Sequence, residues 1–389
     1  LSTTTMVENY PGFKDGVSGP ELIMSMKAQA EAMRALAYVV AAAMDIAHRD
    51  PDQALRAKHQ AFADMMIPVV KGWSTETSTG RAPAAANGAM AATFAGNGTL
   101  RLAGTSNLNI QSNSPDFLGN VIVAGGLFQL SVGGRIGAAS VEIRQGGALL
   151  LDNSGGTRSG DRIGNTSNIV LNSADGSWGG ETQVSGLSIR TDQNAGTNES
   201  IGSLVFGSGA NYLTGSASGG TGSEASVLAT AFERRNYATA VVMGRALGLT
   251  SDATGRNNFR ISDAAAQTAF MGSSLLGAGG AAASTTMSIV PWAVGEALTV
   301  RSVVTNMGNS LVTYVTGGGF RPLVHATEYA TFAAGGATAN IRESPAAGLT
   351  GIAGRSVNSL VVHNASTAAS TIAVTGTGAG QSLVNTSGA

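Results

Sequence analysis

The sequence predicts a mainly β protein, in which a parallel β-helix, or solenoid, follows an N-terminal α-helical hairpin. One observation behind this prediction is a pattern of a short apolar run, a glycine pair and a second apolar run, present at residues 121–130 and again at 141–151. The second copy trails the first by about twenty residues, the period at which each copy forms one coil. The other observation is composition, because 49 of the 54 glycines follow residue 80.

The two copies are typical of strands separated by tight turns. Val, Ile and Leu dominate their apolar runs and favour strands, whereas the glycine pairs favour turns. Glycine suits a corner because it has no Cβ and accepts a positive φ. A single coil cannot bury its own apolar face, so neighbouring coils have to supply the core. We therefore predict further coils on both sides, paired as parallel strands.

A compositional step near residue 80 divides the chain. All four lysines and seven of the twelve methionines precede this step, and every later basic side chain apart from histidine is arginine. A step of this size predicts a domain boundary. We therefore expect a helical hairpin over residues 1–74, a linker of small residues over 75–97 and the β solenoid over 98–389.

The first segment carries helix signals. Ser18-Gly19-Pro20-Glu21 has the spacing of a capping box, and an apolar stripe of about 3.6-residue period continues to Asp50. Asp50-Pro51 then predicts the N-cap and first residue of a second helix, with Pro68 bending or ending it. The short turn between the two helices predicts an antiparallel pair.

Past the linker, strand patterns continue almost to the end of the chain. Beyond the two copies, the predicted strands cover residues 99–102, 108–111, 168–171, 186–190, 201–206, 238–243, 298–304, 311–315, 357–363 and 370–375. Residues 225–248 and 264–276 are rich in alanine without strict alternation, so they are compatible with either helix or strand.

Two short stretches of the first segment resemble enzymes. Residues 1–32, with TTTMVENYPGF and GPEL, resemble the early flavin domain of thioredoxin reductases, and this resemblance implies that Asn9 would lie against a flavin. Residues 34–76 resemble part of the C-terminal helical region of acyl-CoA dehydrogenases. Neither the dinucleotide GxGxxG motif nor the redox CxxC motif is present. The junction of the two stretches inside one helix leaves a chimeric sequence without selected function as one hypothesis.

The segment from about residue 96 to residue 389 resembles bacterial proteins with autotransporter-associated β-strand repeats. The similar segments are the two copies at 121–130 and 141–151, SGDRIGNTSNIVLNSADGS, ASTTMSIVPWAVGE, and GFRPL followed by TEYATF. The resemblance implies an exported, surface-associated passenger built as a right-handed parallel β-helix. It therefore implies an extracellular or outer-surface location.

Composition excludes several function classes. A formal net charge of -1 gives no electrostatic basis for binding nucleic acid. The lack of cysteine excludes disulfides, thiolate metal sites and Cys nucleophiles. No apolar run approaches the roughly 18 residues of a spanning helix, and the opening LSTTTMVENY has no features of a signal peptide. We therefore expect a fragment with no transmembrane segment.

We predict no catalytic, cofactor-binding or metal-binding residues, and each candidate has a simpler interpretation. The histidines lack metal-ligand spacing, Asp161 lacks the offsets of a calcium nonapeptide, and the glycines at 220 and 222 follow no strand. The Asp and Glu side chains are scattered, so hydrolysis of glycans would require two of them to meet across stacked coils. The two tryptophans are more typical of cap or core residues than of residues that stack on sugars. These candidates are His48, His59, His325, His363, Glu142, Asp152, Asp161, Asp175, Glu181, Asp192, Trp178 and Trp292.

The sequence therefore favours a non-enzymatic structural or adhesive passenger with no cofactor. A polysaccharide-acting β-helix enzyme, a remnant flavoprotein and a chimera stay open as alternatives. Expected partners are a surface glycan or the cell envelope. Because the ends of a solenoid expose strand edges, we also expect self-association.

Overall fold

The structure is a computed structural model, and its described residues fall into two compact units, 1–86 and 87–389. The second unit is mainly β structure and has few helices. The described residues are 38–64, 66, 89–90, 93–105, 107–154, 160–175, 177–178, 184–191, 196–217, 224–250, 255–298, 309–343, 349–352, 356–363, 372–374 and 384–385.

The first unit contains two helical stretches, α1 over residues 38–49 and α2 over 53–64. Val40 and Ala43 of α1 are buried, as is Ala63 of α2. The predicted N-cap of α2 was wrong by two residues: Asp52 Oδ1 accepts the N–H of Ala54 at 2.8 Å, whereas Asp50 Oδ1 accepts the N–H of Asp52. Asp52 caps the helix because its carboxylate reaches the free first-turn amides. The predicted capping box at 18–21 and Pro68 lie outside the described residues.

The second unit contains the strands and one helix. The strands before residue 155 are β1 (Ala89–Met90), β2 (Thr99–Leu102), β3 (Asn107–Ile110), β4 (Asn113–Ser114), β5 (Asn120–Val123), β6 (Gly126–Leu130), β7 (Arg135–Ile136), β8 (Ser140–Arg144) and β9 (Gly147–Asn153). The next are β10 (Asn168–Asn172), β11 (Ser177–Trp178), β12 (Val184–Ser185), β13 (Leu187–Thr191), β14 (Gly196–Ser208), β15 (Ala210–Ala217), β16 (Glu224–Arg234), β17 (Thr239–Arg245) and β18 (Arg256–Ile261). Helix α3 (Ala264–Ser274) precedes β19 (Ala293–Leu298), β20 (Ser310–Val315), β21 (Gly319–Pro322), β22 (Asn340–Glu343), β23 (Leu349–Ile352), β24 (Ser356–Val357), β25 (Ser359–Val362), β26 (Ile372–Val374) and β27 (Val384–Asn385).

Two sheets share most of these strands, and the chain alternates between them. The seven-stranded sheet has the order β18-β16-β14-β10-β8-β5-β2, and the ten-stranded sheet has the order β1-β3-β6-β9-β13-β15-β17-β19-β20-β21. Up to β19, neighbouring strands within each of these two sheets pair in parallel, as β5 does with β8 and β6 with β9. A shorter parallel row is formed by β4, β7 and a bridge from Ile136 to Ile163.

The two sequence copies pair with each other in parallel, residue for residue. Val121 pairs with Val141 and Val123 with Ile143, while Gly126 pairs with Gly147. The prediction of parallel rather than antiparallel pairing is therefore confirmed for these copies. Because this register is kept between the two copies, side chains of the same face stack on each other and share one core.

Inward-facing side chains form continuous rows across the layers. One row crosses the ten-stranded sheet, and each of its residues pairs with the next on the adjacent strand. From strand to strand, this row contains Leu108, Phe128, Leu149, Leu187, Leu213 and Val242. Two rows of the seven-stranded sheet increase in size toward the end of the stack: Val121, Val141, Ile169, Leu204, Phe232, and Val123, Ile143, Leu171, Phe206. All of these except Leu108 are buried and belong to one hydrophobic core.

A cluster of aromatic side chains lies where the run of parallel strands stops, and we call this cluster the aromatic end. Phe320 packs against five other rings, with centroid separations from 5.2 to 6.2 Å, and those rings are Phe206, Phe232, Phe270, Trp292 and Tyr314. Helix α3 supplies Phe270, and β20 and β21 pair antiparallel rather than parallel. The expectation of one parallel array from residue 98 to the C-terminus was therefore wrong at this point, because strands joined by the short turn 316–318 pair antiparallel.

Parallel pairing resumes after this end. β22 pairs with β25, β23 with β26 and β24 with β27. Buried asparagines connect these layers, since Asn340 Nδ2 donates to Met287 O at 2.9 Å and Asn358 Nδ2 donates to Asn340 Oδ1 at 2.6 Å. Of the two tracts left open from sequence, 225–248 is strand and 264–276 is mostly helix. No helix among the described residues is long and apolar enough to cross a membrane.

Candidate functional site

The candidate carboxylates accept hydrogen bonds from neighbours in different parts of the fold. Glu142 accepts both Nε and Nη2 of Arg144, at 2.8 and 2.9 Å, and these bonds lower the pKa of Glu142. Asp175 accepts the N–H of Gly146 at 2.8 Å. Glu181 and Asp192 lie outside the described residues.

Asp152 is a buried member of a polar row on the ten-stranded sheet. It accepts Nε of Arg190 and Nε2 of Gln129, each at 2.9 Å, from the strands on either side. Burial alone would raise the pKa of Asp152, but the bonds from Arg190 and Ser154 outweigh it and lower this pKa. Asp152 is therefore held as a carboxylate that joins three strands.

The most strongly perturbed groups are Arg162 and Glu199, which are both fully buried. The backbone N–H groups of Arg162 and Ile163 donate to the two oxygens of Glu199 at 2.8 and 2.7 Å. The Arg162 side chain donates to Asn153 Oδ1 and Gly134 O, at 2.7 Å each, and to Val132 O at 3.1 Å. These two residues therefore connect residues 132–134, 153, 162–163 and 199, four segments far apart in the sequence.

Burial controls the protonation of this cluster. It raises the pKa of Glu199 to about 8, and it lowers the pKa of the Arg162 guanidinium to about 10. The two backbone donors oppose the shift at Glu199, and the charge of Asp161 adds to it. Burial is the larger effect because the carboxylate loses all of its hydration in the interior.

Asp161 and Glu199 resemble an acid and base combination, because the charge of Asp161 acts on the carboxyl group of Glu199. Asp161 is partly exposed and accepts the N–H of Ser200 at 3.2 Å, while neighbouring Glu199 has a raised pKa. A glycan-hydrolysing pair needs both carboxyl groups to reach the substrate. Glu199 has no exposed surface. The pair is therefore suited to stabilising the fold rather than to hydrolysis.

The histidines are separated into two groups. His48 Nδ1 bonds with Met44 O at 2.7 Å within α1, and His59 is half-buried in α2. His325 packs on Tyr329 at 5.9 Å, and its pKa is lowered by burial and by the charges of Arg342 and His363. Within the described ranges, no group of three His, Asp or Glu side chains is arranged to hold a metal ion.

A groove of about 350 Å³ lies between α3 and the end of β16. Arg234 is its one charged residue; the guanidinium lies 5.4 Å from the Trp292 ring centroid and Nε donates to Ala238 O at 2.8 Å. Trp292 itself is buried in the aromatic end, as a cap or core residue would be. The groove is lined by Ala231, Phe232, Arg234, Ala266, Ala269, Phe270, Ser273 and Ser274.

Sequence reasoning missed Arg162 and Glu199. Glu199 occupies an inward position of β14, whose burial alternates from Thr197 to Ile201. The sequence gives no signal for this burial, because residues 197–200, TNES, are all polar and show no apolar alternation. Asn9, Gly220 and Gly222 lie outside the described residues, as does the side chain of Trp178.

Comparisons with known proteins give short matches. No protein-family profile matches the chain, and no solved structure matches it. The chain is 60% identical over 35 residues to a thioredoxin reductase of Mycolicibacterium smegmatis, and the matched segment covers 9% of this chain and 11% of that protein. It is 64% identical over 31 residues to the Streptomyces coelicolor thioredoxin reductase, covering 8% and 10%, and 55% identical over 38 residues to NADPH-dependent thioredoxin reductase 3 of Arabidopsis thaliana, covering 10% and 7%.

The resemblance to thioredoxin reductases is therefore confirmed as a fragment only. The chain spans 11% or less of the length of these relatives. The similarity to acyl-CoA dehydrogenases and to autotransporter-associated repeats stays a prediction.

Proposed function

We propose that this chain is a non-enzymatic structural or adhesive protein of the cell surface or extracellular space, built as a parallel β-helix. The observation that carries the proposal is the in-register parallel pairing of strands that alternate between two sheets from β2 to β19. Such pairing makes each layer the template for the next, so the fold gains length without a new core. A stiff element of adjustable length is what a stalk or a display platform requires.

The polar groups of the described region support a structural role. Arg162, Glu199, Asp152 and Arg190 are directed to other residues of the chain, and their bonds join segments that are up to 38 residues apart. A buried polar or charged group that lost its partner would destabilise the fold. These groups therefore have a physical reason to be present without a reaction to perform.

Location is tested in the source cells. Intact cells are treated with a protease that does not cross the envelope, and the chain is followed by immunoblotting with a cytosolic protein as the control. A surface protein is lost from intact cells while the cytosolic protein persists. Loss only after lysis would refute the proposed location.

Enzymatic activity is tested on the purified chain. Incubation with soluble β-glucans, pectins and chitin oligosaccharides is expected to release no new reducing ends above a heat-denatured control. Release that disappears in Asp161→Asn would favour the polysaccharide-acting enzyme instead.

A further inference from the structure

Two corners of the layers break the rule that glycine occupies left-handed positions, and one of them has Ser173, with φ 55°, directly after β10. The chain turns from the seven-stranded sheet to the ten-stranded sheet at Gly125 and Gly126, at Gly146 and at Gly209, all with positive φ. At the corresponding corner between β16 and β17, the left-handed residues are Asn236, with φ 48°, and Tyr237, with φ 54°. Asparagine tolerates this region, whereas a bulky aromatic residue there is a genuine outlier.

The surrounding bonds hold the strained turn in place. The N–H of Ala238 donates to Arg235 O at 3.0 Å and closes the turn. Asn236 Nδ2 donates to Gly207 O at 2.9 Å, in the corner of the preceding layer. Arg234 Nε donates to Ala238 O from the other side. The backbone conformation is therefore set by the neighbouring layers, and a glycine would satisfy it at lower cost.

The strain presents an aromatic ring to solvent. Tyr237 is 90% exposed, more than any other large hydrophobic side chain of the described residues. The residues close to it in the sequence are polar: Arg235 and Glu233 form an ion pair at 2.5 Å, with 58% and 42% of these side chains exposed, and Asn236 and Thr239 are exposed as well. The corner of the preceding layer bonds to this turn at Gly207 O and Gly209 O.

We propose that Tyr237 is a carbohydrate-binding residue that stacks on the apolar face of a β-linked glucose or N-acetylglucosamine unit. In these sugars the ring substituents are equatorial, so each face of the ring is lined by C–H groups. The negative face of an aromatic ring attracts those C–H groups, and dispersion adds to the contact. Glu233 and Arg235, four and two residues before Tyr237, are the charged groups that we expect to bond to the hydroxyl groups of the sugar.

The polar surroundings favour a sugar over a protein partner. Aromatic anchors of protein interfaces are surrounded by a contiguous patch that excludes water. Tyr237 is instead flanked in the sequence by exposed polar residues, at 234–236 and at Thr239. A sugar ring matches this arrangement because its apolar face is about as wide as one aromatic ring and its rim is polar.

The contact deepens the adhesive role proposed above and rests on it, but binding is measured on the purified chain independently of location. The probes are cellohexaose, laminarihexaose and chitohexaose, followed by saturation-transfer NMR and affinity electrophoresis. We expect Tyr237→Gly to weaken binding by at least about tenfold while it raises Tm by about 2 °C, because glycine accepts the left-handed backbone. Tyr237→Phe keeps the ring and should keep most of the binding.

Val132 provides the matched control. It is also a non-glycine residue at positive φ, 53°, and it is 43% exposed. Val132→Gly should raise Tm to a similar extent and leave sugar binding unchanged. Unchanged binding in Tyr237→Gly, or a lower Tm in that variant, would overturn the proposal. So would a parent chain that binds none of the three sugars. If the chain binds these sugars but is protected from protease in intact cells, the location is wrong and the sugar contact stands.

Discussion

The stacked layers and the aromatic end of the second unit solve the same burial problem in different ways. In the layers, an aliphatic side chain such as Leu149 lies between its counterparts Phe128 and Leu187 in the next layers on either side. At the end, Phe320 has no counterpart in a following parallel layer, and it packs against five rings instead.

The difference shows what a repeating fold needs in order to stop. A layer without a successor exposes its apolar face and its strand edge. Here the side chains of two rows grow from valine to phenylalanine as the end approaches, and α3 and the antiparallel pair of β20 and β21 add Phe270, Tyr314 and Phe320. The Tyr314 hydroxyl oxygen accepts the N–H of Ile261 at 2.7 Å, and burial raises the pKa of Tyr314 to about 12. The end is therefore a packed termination rather than one more layer.

Removing Phe320 should have the largest effect on stability. Phe320→Ala deletes the ring that all five neighbours share, and truncation of a buried phenylalanine costs about 3 to 5 kcal/mol. Denaturant unfolding followed by far-UV circular dichroism measures the change. Phe320→Leu preserves most of the volume and should lose much less. If both substitutions cost under about 1 kcal/mol, the aromatic residues do not form the end of the core.

Truncation inside the layers should cost slightly less. Leu149→Ala removes a fully buried side chain, with an expected loss of about 3 kcal/mol, because the layers above and below can relax only partly toward the cavity. Leu249, which is 40% exposed, gives the control Leu249→Ala with a change within about 0.5 kcal/mol. Equal effects of the two substitutions would contradict the stacked core.

Glu199 makes the stability of the layers depend on pH. Its pKa is raised to about 8, so the folded chain holds a proton that the unfolded chain loses near the ordinary value of 4.5. The stability contributed by this proton is present at low pH and is lost as the pH rises from about 4.5 through about 8. Asp161 and Arg162 are the charged groups that act on it.

Replacing Glu199 by glutamine should remove this pH dependence. Glu199→Gln keeps the size but loses one acceptor for the amides of Arg162 and Ile163, which costs about 1 to 3 kcal/mol. Thermal unfolding from pH 5 to pH 8 measures both quantities. The parent should lose stability across this range, and the variant should be less stable at pH 5 with a flatter profile. A parent profile that rises toward pH 8 would show that Glu199 is ionised in the folded chain.

Much of the layered region was predictable because its determinants are local. Glycine pairs and runs of valine, isoleucine and leucine repeat with the layers, and the strands predicted at 99–102, 168–171 and 311–315 are present. The antiparallel end was not predictable, because it depends on contacts between Phe206, Phe270 and Phe320, which are far apart in the sequence.

The partners of the buried polar side chains could not be predicted from the sequence either. Arg162 is an ordinary arginine in the sequence, and its burial follows from carbonyl groups at 132 and 134 that only the stacked layers bring near it. Asn257 is similar: its side chain fills the space left by Gly215 and Gly244 and accepts the N–H of Ala217 at 3.0 Å. In both cases the partner is defined by the layer spacing rather than by a local motif.

The smallest expected effect concerns the helix that covers the aromatic end. Asp263 caps α3 by accepting the N–H of Ala266 at 2.7 Å, and loss of such a cap costs about 1 kcal/mol. Asp263→Ala should therefore speed amide hydrogen exchange in α3 while exchange in β8 and β9 stays unchanged, because the layers do not depend on this helix for their pairing. Asp263→Ser retains a capping oxygen and should restore slow exchange. Faster exchange throughout the layers of Asp263→Ala would mean that the end and the layers unfold as one unit, and the distinction between the two regions would then be structural but not energetic.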